Sequence, residues 1–280
     1  MAPLYQSSRL SATIASAVTA ARSVASEAFE RFSADGTLDA IRTTLASAQR
    51  TLVEQLDLAG TLDSLNRRLL PPNLRSVADQ INATDVWDFL TEEGIPLYRV
   101  PRASVAVRLL TAPTHAARRR VLTTHSHQIV EDCAEVLAGC TSEDVREFVE
   151  FAHDGLRALN AGAHRSAQAL FTVTLDTLIT ALAPNRQQRQ TLTKKKRGAD
   201  VPDAIDEMDV HTALVWLAVW NGHLEFWVKN GDQIPFDYSR HATVHAVSRR
   251  QYSKRNCVQS LMLLTSLISW ADDNAARTKH

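Results

Sequence analysis

The sequence predicts an all-α protein, an N-terminal helical hairpin and a connector followed by a C-terminal four-helix bundle. Three observations predict it. Apolar residues recur at helical spacing almost throughout, as in Leu10, Ile14, Val18, Val24 and Phe29, then Leu38, Ile41, Leu45, Leu52 and Leu56. That spacing lines one face of a helix. Only nine glycines and nine prolines punctuate 280 residues, 45% of which are hydrophobic, a composition suited to a globular, mostly helical chain. No window of alternating apolar and polar residues argues for a strand.

Punctuation divides the chain into three segments. Asp35-Gly36 separates a first helix from a second, and Pro71-Pro72 is a sharper boundary with Asn73 as a cap after it. Residues 1–70 therefore read as a helical hairpin or arm, a surface for a protein partner. Residues 71–140 hold Trp87 and Phe89, an extended connector over 94–102 with prolines at 96 and 101, and a long helix over about 114–139. His125 and His127 lie two apart in that helix and point in different directions. Residues 141–280 form the bundle. Thr141-Ser-Glu-Asp144 opens it with a capping pattern, and its helices run over about 142–160, 163–183, 205–229 and 247–273. Asn160-Ala-Gly162 and a polar loop over 184–203 separate the first three, and a turn-rich stretch at 230–235 ends the third.

Lys plus Arg and Asp plus Glu both total 31, so no global polyanion-binding signature exists and any nucleic-acid contact must come from local clustering. Three cysteines exclude a disulfide framework. On one helix Cys133 and Cys140 stand about 10 Å apart along the axis, at ~1.5 Å per residue, beyond disulfide reach. Such thiols suit a reducing, cytoplasmic location. The longest uncharged apolar run, 257–270, is interrupted by Gln, Ser and Thr and is too short to span a bilayer, so no membrane is expected. Residues 1–25 are rich in Ser, Ala and Thr, carry Arg9 and Arg22, and precede the first acid, Glu27. This resembles a transit peptide in composition, but the helical pattern runs on unbroken and favours an amphipathic N-terminal helix.

The chemistry concentrates between the third and fourth bundle helices. With a helix starting near Ser239, His241 and His245 fall one turn apart on one face, and Arg240 is close enough to share their cleft. Arg249, Arg250, Lys254 and Arg255 follow, with no acid between Asp237 and Asp272. The region is therefore locally cationic and would draw a phosphate. An imidazole moves protons at neutral pH, and a guanidinium binds a phosphate in bidentate fashion and stabilises developing charge. Together they suffice for RNA cleavage in which the 2′-hydroxyl is the nucleophile, with 2′,3′-cyclic phosphate products and no action on DNA.

This arrangement resembles the HEPN domains, helical bundles whose motif is Arg, four to six residues, then His, with Asn, Asp or His often directly after the Arg. Arg240, His241 and His245 match with a four-residue interval, at the start of the last bundle helix. Leu175-Asp176-Thr-Leu178 is a weaker echo of the acid those domains carry between leucines on their second helix. The resemblance covers about 142–275. It implies that Arg240 and His245 are catalytic and that His241 assists. It further implies a homodimer whose two motifs meet across the interface, with RNA as substrate, no cofactor, and a toxin or antiviral-defence setting.

Other readings stand beside these. The 240–245 cluster could simply cap and pack the last helix, in a non-catalytic helical protein that binds RNA, a nucleotide or a protein. Histidines at i and i+4 could share a zinc ion, but Ala242 stands where the metalloprotease pattern needs Glu and no nearby downstream ligand exists, so no metal is expected. Lys194, Lys195, Lys196 and Arg197, with Arg186 and Arg189, form an acid-free loop that would contact RNA phosphates or be a solvated run. Trp216, Trp220, His223 and Trp227 form one helical stripe, for a core or dimer interface before base stacking.

Overall fold

The structure, a computed structural model, describes residues 58–278. The N-terminal helix and most of the hairpin expected before residue 70 lie outside the described residues. Twelve α-helices follow in order among the described residues: α1 (Leu58–Leu69), α2 (Ala83–Glu92), α3 (Ala103–Leu110), α4 (His115–Thr124), α5 (Ser126–Ala138), α6 (Arg146–Asn160), α7 (His164–Leu182), α8 (Arg186–Thr193), α9 (Asp203–Asp206), α10 (Val210–Gly222), α11 (Arg240–His245) and α12 (Lys254–Thr278). Short 3-10 turns occupy Pro72–Val77, Glu143–Val145 and Val228–Asn230. The fold class is all-α; the β structure among the described residues amounts to an isolated bridge between Lys195 and Leu224. The chain divides into Met1–Leu65 and Asn66–His280.

The core of the second unit is built around α12. Cys257, Val258, Leu261, Met262, Leu263, Leu264, Leu267 and Ile268 are all buried, so apolar groups face every side of the helix, the pattern of a central element. Each fully buried leucine among them contributes ~1.5–3 kcal/mol of transfer free energy. α7 and α5 pack along α12, and α6 closes against both α5 and α7. The α6–α7 crossing is close because Gly155 carries no side chain: a Cβ there would lie 2.2 Å from the Phe171 ring.

This is a different quartet from the one expected. The segment over 205–229 does not supply a long third helix. Asp209 leaves helical geometry to cap α10, its side chain accepting from the Thr212 amide at 3.2 Å. At the other end His223 falls out of the helix, and Leu224 forms the bridge to Lys195. α10 packs on α2 and α12 instead. The long helix over 114–139 is two helices, because His125 breaks it at φ −100° and ψ 15° after the β-branched pair Thr123-Thr124, a weak helix-forming stretch. With α5 in the central quartet and α2 against α10, residues 71–140 and 141–280 share one core instead of forming separate segments. The connector over 94–102 is non-helical and bends at Tyr98-Arg99, where Arg99 has φ 65°, and Ile95, Leu97, Tyr98 and Val100 are buried in that core.

The three cysteines are free, Cys133 and Cys257 buried and Cys140 half-buried. Burial pushes the Cys133 and Cys257 thiols up to about 12. No described helix is long and apolar enough to cross a membrane.

Candidate functional site

Arg240, His241 and His245 sit on α11, a short helix whose start is where the sequence placed it. Ser239 is its N-cap, with extended backbone and a side chain that accepts from the Ala242 amide at 3.2 Å. Ala246 returns to extended geometry and ends the helix. The cationic stretch after it is therefore not one helix from 247. Residues 246–253 are irregular, and α12 begins only at Lys254, where the Ser253 hydroxyl accepts from the Asn256 amide at 3.2 Å.

A buried glutamine that carries no sequence signal holds this segment. Gln251 is fully buried. Its Oε1 accepts from the Ser239 amide at 2.9 Å and the Thr243 hydroxyl at 3.2 Å, and its Nε2 donates to the carbonyls of Pro235 at 3.3 Å and Asp237 at 3.1 Å. Gln168 on α7 donates from Nε2 to the Gln251 carbonyl at 3.1 Å and to Thr243 Oγ1 at 3.2 Å. Tyr252 fastens α11 from its far end, its hydroxyl donating to the Thr243 carbonyl at 2.9 Å. The short helix is thus tied to α7 and to the chain on both sides by buried bonds, each worth ~0.5–1.5 kcal/mol net.

The same tie brings Arg240 to Asp176 on α7. Arg240 Nη2 donates to Asp176 Oδ2 at 2.6 Å, with the arginine side chain 21% exposed and the aspartate 44%. This leucine-flanked acid is the one that the sequence pattern singled out. The His241 and His245 rings lie 6.2 Å apart, so the expected shared face is present. They differ in environment. His245 is exposed, whereas burial, reinforced by the charge of Arg240, pulls the His241 pKa below the ordinary histidine value. Nδ1 of His241 and Nε of Arg240 are buried without a protein partner.

Two residues outside the motif belong to this neighbourhood. His223 is buried beneath it and donates from Nδ1 to the Val219 carbonyl at 2.7 Å. That bond fixes the tautomer with Nε2 bare, and Nε2 has no partner. Burial pulls its pKa down to about 4, so at neutral pH it is an uncharged acceptor. Trp227 is the second. Trp216, Trp220 and His223 of the expected stripe are buried, and Trp227 is not. Trp227 lies beyond the end of α10, is 40% exposed, and meets the His241 ring at 6.3 Å. Sequence reasoning put both residues on one helical face, and nothing local marked where the helix stops.

The basic residues do not act as one surface. Arg255 donates to the Phe236 carbonyl, and Arg250 donates to the Ile234 carbonyl at 3.1 Å and stacks on the Phe236 ring at 4.3 Å. Both therefore hold the 234–236 turn, while Arg249 and Lys254 are exposed. The 184–203 segment is not a plain loop: it carries α8, capped by Asn185, whose side chain accepts from the Gln187 amide at 2.9 Å. Lys195 is half-buried against Asn221 and the Trp220 ring, and burial lowers its pKa. Arg197 pairs with Asp232 at 3.2 Å. Lys194, Lys196 and Arg197 are exposed, Arg197 with its charge matched by Asp232.

Among the described residues no group of three or more His, Cys, Asp or Glu is placed to hold a metal ion. No family model, curated protein or solved structure matches this chain.

Proposed function

We propose that the chain is an endoribonuclease of the HEPN type, acting through Arg240, His241 and His245, in a toxin or antiviral-defence role. The observation that carries the reading is the Arg240–Asp176 pair beside two imidazoles one helical turn apart. A counter-charge on α7 fixes the guanidinium, and protein bonds leave Nη1 of Arg240 available for a phosphate oxygen.

In this mechanism a neutral imidazole takes the proton of the RNA 2′-hydroxyl as the 2′-oxygen attacks phosphorus. The phosphorus–O5′ bond breaks, and an imidazolium returns a proton to the leaving 5′-oxygen. Arg240 stabilises the charge that builds on the non-bridging oxygens. The products are a 2′,3′-cyclic phosphate and a 5′-hydroxyl. A homodimer fits the exposed Val244 and Val247, 49% and 92% exposed beside the imidazoles, as apolar surface for a second copy to cover.

The test is cleavage of a short RNA by the wild type, Arg240→Ala and His245→Ala, with the all-deoxy strand as control. The wild type is expected to cut the RNA alone, and each variant to lose at least a hundredfold. Equal cleavage by all three proteins would remove the catalytic role of the motif.

A further inference from the structure

Arg240 and His241, but not His245, line a pocket of about 360 Å³ between α7, α8 and the end of α10. Its size sits near the lower end of the ~300–1,000 Å³ typical of ligand sites, room for one nucleotide. Arg186, Arg189 and Lys194 line it from α8 and its cap, facing Arg240 across the opening. Asp176 is the carboxylate in its wall, and Arg240 already engages it. Arg189 is held at the rim by its bonds to the Ala183 and Pro184 carbonyls, at 2.7 and 3.2 Å. Arg186 and Lys194 make no ion pair among the described residues. Three cations without a counter-charge suit a doubly charged anion.

The pocket also carries an opposite requirement. His223 lines it and is 2% exposed, and its Nε2 is a buried acceptor with no partner. A phosphate oxygen only accepts and cannot satisfy that nitrogen, whereas an O–H or N–H of the ligand can. The site therefore asks for a phosphate at its α8 side and a hydrogen-bond donor at its His223 side within one small molecule.

We propose that this pocket binds a single nucleoside phosphomonoester, its phosphate on Arg186, Arg189 and Lys194 and a sugar or base donor on Nε2 of His223. The ligand comes as a free mononucleotide or as the phosphorylated end of an RNA. The second source rests on the ribonuclease reading, while the binding itself does not.

Calorimetry with the full-length protein tests it, using the four ribonucleoside monophosphates, the matching nucleosides and inorganic phosphate. His245→Ala protein is used for short RNAs with phosphate or hydroxyl ends. At least one monophosphate or phosphorylated end is expected to bind tenfold or more tightly than its nucleoside or hydroxyl counterpart and than inorganic phosphate. The double variant Arg186→Ser/Lys194→Ser is expected to lose that preference. His223→Phe, which keeps an aromatic ring but no acceptor, is expected to weaken nucleotide binding about tenfold and to leave phosphate binding unchanged. Binding of the monophosphates alone assigns the free nucleotide as ligand, and binding of phosphorylated ends alone assigns the RNA terminus. Absence of any phosphate preference, or a preference that survives Arg186→Ser/Lys194→Ser, overturns the proposal, and this arm decides even if His223→Phe fails to fold. RNA cleavage by the wild type without such binding would remove the pocket and leave the ribonuclease reading standing. Binding without cleavage would do the reverse.

Discussion

Asp176→Asn separates orientation of Arg240 from its mere presence. The amide keeps the size of the carboxylate and an oxygen that can accept from Nη2, but it removes the charge opposite the guanidinium. The pair is short at 2.6 Å, yet Asp176 is 44% exposed, so solvent screens part of the attraction and the loss in stability should be ~1 kcal/mol. For a domain of this size that is a fall of roughly 2–4 °C in melting temperature. The effect on catalysis should be larger. A guanidinium free to swing by about 1 Å costs on the order of a hundredfold when the interaction is made in the transition state. The variant also makes the site more cationic, so RNA should bind at least as well. We therefore expect kcat to fall ten- to hundredfold with KM unchanged or lower, on the order of 1.4–2.8 kcal/mol in activation free energy. A fluorogenic RNA assay with full kcat and KM determination, beside thermal melting, measures both. Wild-type kcat in Asp176→Asn, with Arg240→Ala inactive, would refute the role given to Asp176.

Three further outcomes follow from the same geometry. Gln251→Leu removes four hydrogen bonds, two of them fully buried, and leaves the Ser239 amide without its partner, so urea unfolding should show a loss of ~2–4 kcal/mol; a loss below that would mean α11 is held by other contacts. Gly155→Ala drives a methyl group into the Phe171 ring and should cost ~1–3 kcal/mol by overpacking, read in the same experiment. His223, with its pKa lowered to about 4 from 6.5 by burial, stays neutral in the folded state while the unfolded chain protonates. Its contribution is thus fully present above pH 6.5 and is lost as pH falls toward 4, to the extent of ~3 kcal/mol. Stability measured between pH 4.5 and 7 should decline on acidification in the wild type and flatten in His223→Phe; equal slopes would contradict the assignment.

The sequence made some of these features legible because they are local. Ser239 as a cap and the one-turn spacing of His241 and His245 follow from helix geometry within seven residues, and the structure has both. Asp176 was visible through the leucines beside it, although nothing showed that it would reach Arg240, 64 positions away. What escaped was set by distant or directionless interactions. Gln251 and Gln168 are bonded across 83 positions, and a buried glutamine has no pattern in its own neighbourhood. Which helices form the central quartet is not legible in the sequence, because apolar periodicity says that a helix is buried without saying against what. α10, buried from Ala213 to Trp220, looks like a bundle helix yet packs on α2. Arg250 and Arg255 read as RNA contacts by charge alone, until their bonds to the 234–236 turn showed where that charge is used.

In the proposed reaction Arg240 and the two imidazoles cleave RNA through its own 2′-hydroxyl. The most direct measurement is end-group analysis of the products by mass spectrometry, on an RNA and on the same strand with a single 2′-deoxy residue at the cut position. The RNA is expected to give 2′,3′-cyclic phosphate and 5′-hydroxyl ends, with no cut at the deoxy position and no products with His245→Ala. Products bearing 5′-phosphate ends, or cleavage at the deoxy position, would contradict that reaction.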